Sequence, residues 1–200
     1  MKKTIPATLM GLALLLAGCV VTSIYPFYTE KDVVFDPALL GKWIESGKND
    51  DSEDVIEFKK DEDKAYVLAT TEDHVLANRY IVHLFQLGDQ RFIDLFPTQR
   101  PNGDSLDFAP VHQLMKVAVT GKSLAFNLQN LKWLEELVAK EPDAIRHIKI
   151  QGARNSEGKI DERTVLTATT KELQEFVRKT LSVKEAWGEP AEYRRVAAKP

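Results

Sequence analysis

The sequence predicts an α+β fold that is mainly antiparallel β: a meander curled into a barrel-like or strongly bent sheet, with two amphipathic helices packed on it. Three observations carry that expectation. From Val55 to Asn127, runs of β-branched and aromatic residues alternate with compact polar turns. After Asn130 and again after Thr169, apolar residues recur at helical spacing behind good N-caps. Residues 1–18 read as a separable leader, which leaves about 180 residues, a normal size for one domain. A chain of that length buries a sizeable core without disulfide staples.

The leader has Lys2 and Lys3, an apolar run from Ile5 to Leu16, and small residues at Ala17 and Gly18 ahead of the only cysteine, Cys19. That is the layout of a secretory signal. Its ending, Leu16-Ala17-Gly18-Cys19, resembles the lipobox of bacterial lipoproteins. The resemblance implies cleavage between Gly18 and Cys19, and a mature chain that begins at a lipidated Cys19 carrying thioether-linked diacylglycerol and an amide-linked acyl chain such as palmitate. Lipidation also accounts for a lone cysteine in an exported chain, otherwise a free thiol in need of explanation. Such an anchor exceeds the two signals that stable membrane attachment requires. Val20 stands where Asp would resemble an inner-membrane retention signal, so the outer membrane, facing the periplasm, is favoured if the source has two membranes.

Composition excludes one class of partner. Removing Lys2 and Lys3 takes the formal charge from −3 to about −5, and no basic block is present to attract nucleic acid. No later run reaches the ~18 apolar residues of a membrane span. The expected organisation is a signal over residues 1–18, a lipidated N-terminus and tether over 19–36, and a single globular β-rich domain over 37–200.

In the tether, Tyr25, Pro26, Phe27 and Tyr28 favour an extended, partly docked strand over a flexible linker. The aromatics either pack on the domain or sit among lipid headgroups. Packing is favoured, because basic residues to meet headgroups are nearly absent. Fully extended, the segment would reach about 55 Å, so it does not by itself fix the domain's height above a bilayer.

Asp36 and Pro37 open one helical turn as N-cap and first residue, Gly41 ends it, and Trp43 begins a strand. This Leu39-Leu40-Gly41-Lys42-Trp43 entry is similar to the opening of lipocalin-like barrels, which implies a tryptophan plugging the barrel floor. Any β-rich fold can also use a core tryptophan at a strand start. Two hairpins are expected next. One turns through residues 60–64; the other joins the run Val75 to Leu87 to Phe92-Ile93-Asp94-Leu95-Phe96 through Gly88-Asp89. Residues 97–110, with three prolines and a glycine, read as a loop of rim or lid length. Val111 to Val119 and Leu124 to Phe126 follow as strands around Thr120-Gly121-Lys122.

Asn130 caps a helix with Leu131, Leu134, Leu137 and Val138 on one face, stopped by Pro142. Short strands are expected around 145–150 and 165–167, with a loop over 155–158. Thr169 and Glu172 form a capping box for a helix carrying Leu173, Phe176, Val177 and Leu181 on one stripe. Beyond Ser182, Trp187 and Tyr193 pin down the tail. Three stretches (residues 28–36, 92–97 and 165–176) resemble a group of bacterial lipoproteins, which implies a single exported domain and no chemistry.

Catalytic signatures fail on inspection. Gly103-Asp104-Ser105-Leu106-Asp107 lacks the closing glycine of a nucleophile elbow, and Gly121-Lys122-Ser123 has Lys116 where a P-loop's first glycine belongs. His74, His83, His112 and His147 show no zinc spacing, and the acidic run 50–54 has Val55 where an EF-hand needs glycine. No metal or other cofactor is expected. Asp94 lies between Phe92 and Phe96 on its own face, and a carboxylate there needs a partner or a solvent opening. His112 and Arg79 are the candidate partners, and an Asp94–His112 pair is either a pocket-rim acid and imidazole or an inert core hydrogen bond.

Three readings of function follow. A lipid-anchored binding module would hold a small apolar ligand such as an acyl chain, lined by Trp43, Tyr80, Phe85, Phe92, Phe96 and Phe126 with Arg79. A structural lipoprotein would instead dock to an envelope protein. A hydrolase-type enzyme would rest on Asp94 and His112.

Overall fold

Period-two alternation rolls this chain into a closed barrel. The computed structural model describes residues 20–49, 52, 54–72, 75–99, 111–154 and 160–196. Its strands are β1 (Thr22–Ser23), β2 (Gly41–Glu45), β3 (Val55–Lys60), β4 (Ala65–Glu72), β5 (Val75–Leu87) and β6 (Gln90–Gln99). β7 (His112–Val119), β8 (Ser123–Leu128), β9 (His147–Arg154), β10 (Ile160–Leu166) and β11 (Ala191–Arg195) complete them, with helices α1 (Leu131–Lys140) and α2 (Thr170–Thr180). Antiparallel pairing runs β2-β3-β4-β5-β6-β7-β8-β11 and returns to β2, so eight strands close a ring with no free edge.

The β3–β4 turn places Asp63 at φ 51, and the β5–β6 turn places Gly88 at φ 63. Both are tight hairpin reversals of the expected kind.

Inside the ring, Phe58, Tyr66, Leu68, Val82, Leu84, Val117 and Leu124 interdigitate around Trp43. One end is shut. The 3-10 turn Pro37–Leu39, capped by the Asp36 carboxylate on the Ala38 N–H at 2.9 Å, buries Leu39 there. Trp43 is fully buried and its indole N–H donates to the Leu39 carbonyl at 3.0 Å. The Arg195 guanidinium lies 4.2 Å over the Trp43 ring and donates to the carbonyls of Ala38, Leu40 and Gly121. Gly41 is required beneath it: φ is +115°, and a Cβ would come within 2.6 Å of the Arg195 Nη1.

A second core lies outside the barrel wall. Phe85, Phe92 and Leu114 face outward from β5, β6 and β7 and pack against Leu134 and Val138 of α1 and Leu173, Phe176 and Val177 of α2. The caps of both helices form as expected: Asn130 accepts from the Trp133 N–H at 3.2 Å, and Glu172 accepts from the Thr169 N–H at 2.8 Å. Trp187 and Tyr193 are buried, the first in this outer core and the second in the barrel. No helix among the described residues is long and apolar enough to cross a membrane.

The structure departs from the sequence reading at the end of β6 and in the tail, and it fills in the expected strands and the docked tether. The strand after Gly88-Asp89 continues through Pro97 to Gln99, and the remainder of the expected rim loop, with the Ser105 motif, lies outside the described residues. The short strands expected near 148 and 166 are β9 and β10, which pair with each other and, through β1, with β7. The tail supplies β11, which closes the ring. The tether is docked from its first described residue: Val20, Val21 and Phe27 are buried, and Val20 bridges to Asn130. Cys19, His74 and most of the acidic run lie outside the described residues.

Candidate functional site

The barrel holds a cavity of about 570 Å³. Its walls are Ile56, Leu68, Ile93, Leu95, Met115, Phe126 and Leu128, the inward residues of β3, β4, β6, β7 and β8, with Ala191 and Tyr193 of β11. Alternation explains the selection: with Ile93 and Leu95 inward, Phe92, Asp94 and Phe96 must point out. The rim is polar, formed by Gln129, Asn130, Lys132 and Glu135 where β8 passes into α1, and by Gly188 and Glu189. Burial and the charge of Glu45 push the Tyr193 hydroxyl up to about 12, so it stays neutral in the cavity wall.

Gln129 is the anomaly of this site. It is fully buried, and neither its amide nitrogen nor its amide oxygen has a hydrogen-bond partner among the described residues. At the same end of the β7–β8 ladder, the Gln113 amide oxygen is also buried without a partner. Asn130, by contrast, is fully engaged as the cap of α1 and as a donor to the Glu185 carbonyl at 3.1 Å.

Beyond this mouth the inner face continues outward. Leu95, Gln113, Thr22, Val165 and Ile148 stand opposite one another across five successive strands, so their side chains share the cavity side. Ile148 and Ile150 on β9, the outermost strand, are 48% and 45% exposed.

Asp94 and His112 do meet, on the outside of the barrel. Asp94 is fully buried; one oxygen lies 2.7 Å from His112 Nδ1 and the other accepts the Phe27 N–H at 2.9 Å. The carboxylate thereby fastens the N-terminal segment to β6. From the other side α2 completes the clamp, as the Gln174 amide donates to the Phe27 carbonyl at 3.1 Å and the Thr170 hydroxyl to the Pro26 carbonyl at 2.8 Å. His83, opposite Asp94 on β5, stacks on Tyr28 with ring centroids 4.4 Å apart. Burial holds the His83 imidazole below its ordinary value despite the Asp94 charge. Burial, with the charges of Asp94 and Glu30, pushes the Tyr28 hydroxyl up to about 12.

Of the residues expected around a ligand, Phe126 lines the cavity, while Trp43 and Tyr80 belong to the barrel core behind its lining, opposite Ile56 and Leu68 on the neighbouring strands. Phe85 and Phe92 are in the outer core, and Phe96 packs on His112 outside the barrel. Arg79 is exposed and stands opposite Gln99, so it is not the counter-ion of Asp94. Sequence reasoning missed Gln129, whose setting between Leu128 and Asn130 reads as an ordinary polar turn. Among the described residues no group of three or more His, Cys, Asp or Glu is placed to hold a metal ion. No protein-family profile, curated protein or solved structure matches the chain.

Proposed function

We propose that this chain is a lipid-anchored cell-envelope lipoprotein whose barrel binds a small apolar ligand. The observation that carries the reading is the apolar cavity of about 570 Å³, within the ~300–1,000 Å³ typical of small-molecule sites. A second feature ties cavity to anchor. Val20 bridges Asn130, a rim residue, so a lipid on Cys19 begins one Cα step, about 3.8 Å, before a residue docked at the mouth. The tether then gives the domain almost no reach, and the mouth stands close to the membrane that holds the anchor.

The test is mass spectrometry of the purified full chain. It should carry two signatures: a Cys19 peptide bearing acyl groups, and a separable apolar molecule lost on denaturation. A Leu68→Trp variant, which fills the cavity, should retain the first and lose the second. Unmodified Cys19 would remove the anchor from the account. Absence of any bound molecule, with no uptake of fatty amphiphiles, would remove the ligand.

A second reading, docking to an envelope protein, is favoured by one observation: among the described residues β9 ends the sheet, and it exposes Ile148 and Ile150. In-cell crosslinking from position 150 should then capture a protein partner, whereas recovery of the chain alone would dismiss it.

A further inference from the structure

The two ends of the barrel differ in what they leave uncovered. Antiparallel neighbours alternate in direction, so one end carries Trp43, Arg195 and the turn at Gly121. The other carries the end of β4, the starts of β5 and β7, the end of β8 and the start of β11. Among the described residues, the large hydrophobics left exposed are Ile24, Tyr25, Val75, Leu76, Ile148 and Ile150. All of them lie at this second end. Val75 and Leu76 open β5, and Ile24 and Tyr25 follow β1 where it pairs with the start of β7. Ile148 stands in one row with Val165, Thr22 and Gln113, and Ile150 is two residues further along β9. Single exposed hydrophobics scattered over a surface need no explanation, but a set gathered at one end does.

The same end receives the N-terminus. Val20, the first described residue, precedes Thr22 by two residues, about 7 Å, and Ile148 is two strand spacings, about 10 Å, across the sheet. A lipid on Cys19 therefore begins within about 16 Å of Ile148. We propose that this end is a membrane-contacting face: Ile24, Tyr25, Ile148 and Ile150 lie against the headgroup layer of the bilayer that holds the Cys19 lipid, and Val75 and Leu76 reach it from β5. This rests on the proposed lipid anchor, and it adds the orientation of the barrel on its membrane.

Two features fit a lipid surface. The Ile24–Tyr25 bend is fastened on both sides: Ile24 donates to the Leu166 carbonyl at 3.0 Å and Tyr25 to the Ser23 hydroxyl at 3.1 Å, while Thr170 and Asp94 hold Pro26 and Phe27. The fold thus holds an isoleucine and a tyrosine out from its surface, where they suit the boundary between headgroups and acyl chains. Charge is the second feature. Lys149 and Arg163 stand exposed beside the isoleucines, and no carboxylate shares the rows of Ile148 and Ile150, in a chain of net charge −3. Glu162, next to Arg163, points to the opposite face and accepts from the Gln151 amide at 3.4 Å. Cations so placed favour anionic headgroups.

The test is fluorescence quenching of the full, leader-processed chain in vesicles of phosphatidylethanolamine and phosphatidylglycerol that contain a nitroxide lipid. Cys19 is the only native cysteine, so once acylated it leaves an introduced cysteine as the single labelling site. Ile24→Cys, Leu76→Cys, Ile148→Cys and Ile150→Cys each carry a nitrobenzoxadiazole label, with Lys122→Cys at the closed end as the control. Labels at 24, 76, 148 and 150 should be blue-shifted and quenched severalfold more than the label at 122. Equal quenching at all five positions, or quenching at 148 and 150 alone, with Cys19 acylated, overturns the face and leaves the anchor. Labels at 148 and 150 that stay in water on the vesicle, and that crosslink to a protein in cells, overturn it in favour of an envelope partner. An unmodified Cys19, with the chain free of the vesicles, overturns the anchor and the inference with it.

Discussion

Replacing Asp94 by alanine should detach the N-terminal segment from the barrel. The carboxylate accepts the Phe27 N–H at 2.9 Å and contacts His112 Nδ1 at 2.7 Å, and it is sealed from solvent. A hydrogen bond to a charged group contributes about 1.5–3 kcal/mol, and each buried donor left without a partner costs about 1–3 kcal/mol. Together these two losses come to about 3–5 kcal/mol. We expect a loss in that range, a large part of the ~5–15 kcal/mol available to a domain. Asp94→Asn keeps an acceptor for Phe27 and should lose about half as much. Urea unfolding of the full chain gives the energies, and hydrogen exchange at the Phe27 amide locates the effect. A loss below about 1 kcal/mol for Asp94→Ala, with the Phe27 amide still protected, would refute the clamp.

Two further perturbations test the closed end and the cavity wall. Gly41→Ala forces a Cβ within 2.6 Å of Arg195 at a φ of +115°, displacing the guanidinium from Trp43. It should cost about 2–4 kcal/mol, seen as a melting temperature about 5–10 °C lower, and an unchanged melt would contradict the role of that contact. Tyr193, raised to about 12 from an unfolded value near 10, contributes stability that is intact below pH 10 and lost as pH climbs to 12. At about 1.4 kcal/mol per pH unit, urea midpoints should record a loss of roughly 2–3 kcal/mol across that window. Tyr193→Phe should remove its own share of this slope and leave those of Tyr28, likewise pushed up to about 12, and Tyr66, raised by burial.

The β meander and both helices were legible because their signals are local. Gly88-Asp89 between two apolar runs, and Thr169 three residues before Glu172, each fix a turn or a cap without reference to the rest of the chain. β11 was not legible. Ala-Glu-Tyr-Arg-Arg is short and charged, and it becomes a strand only because Tyr193 pairs with both Leu124 and Glu45, far away in sequence. The inward face of β6 was hidden for another reason. Helices cover the barrel's outer wall, so Phe92 and Phe96 on one face and Ile93 and Leu95 on the other are all apolar, and alternation alone cannot say which face is inside. Asp94 carried the clue, since a carboxylate held by a backbone N–H and an imidazole fits the face crossed by the N-terminal segment. Gln129 left no trace, because an amide in a polar turn becomes anomalous only once its burial is known.

A barrel that receives an apolar ligand must open its inner wall to an apolar probe. Irradiating the full chain with an aliphatic diazirine amphiphile and mapping the adducts by mass spectrometry tests it most directly. Adducts are expected on Ile56, Leu68, Leu95, Met115 and Phe126, suppressed by an excess of an unlabelled fatty amphiphile and absent in Leu68→Trp. Adducts confined to Ile148, Ile150 and other outer surfaces, with the cavity residues unlabelled, would contradict it.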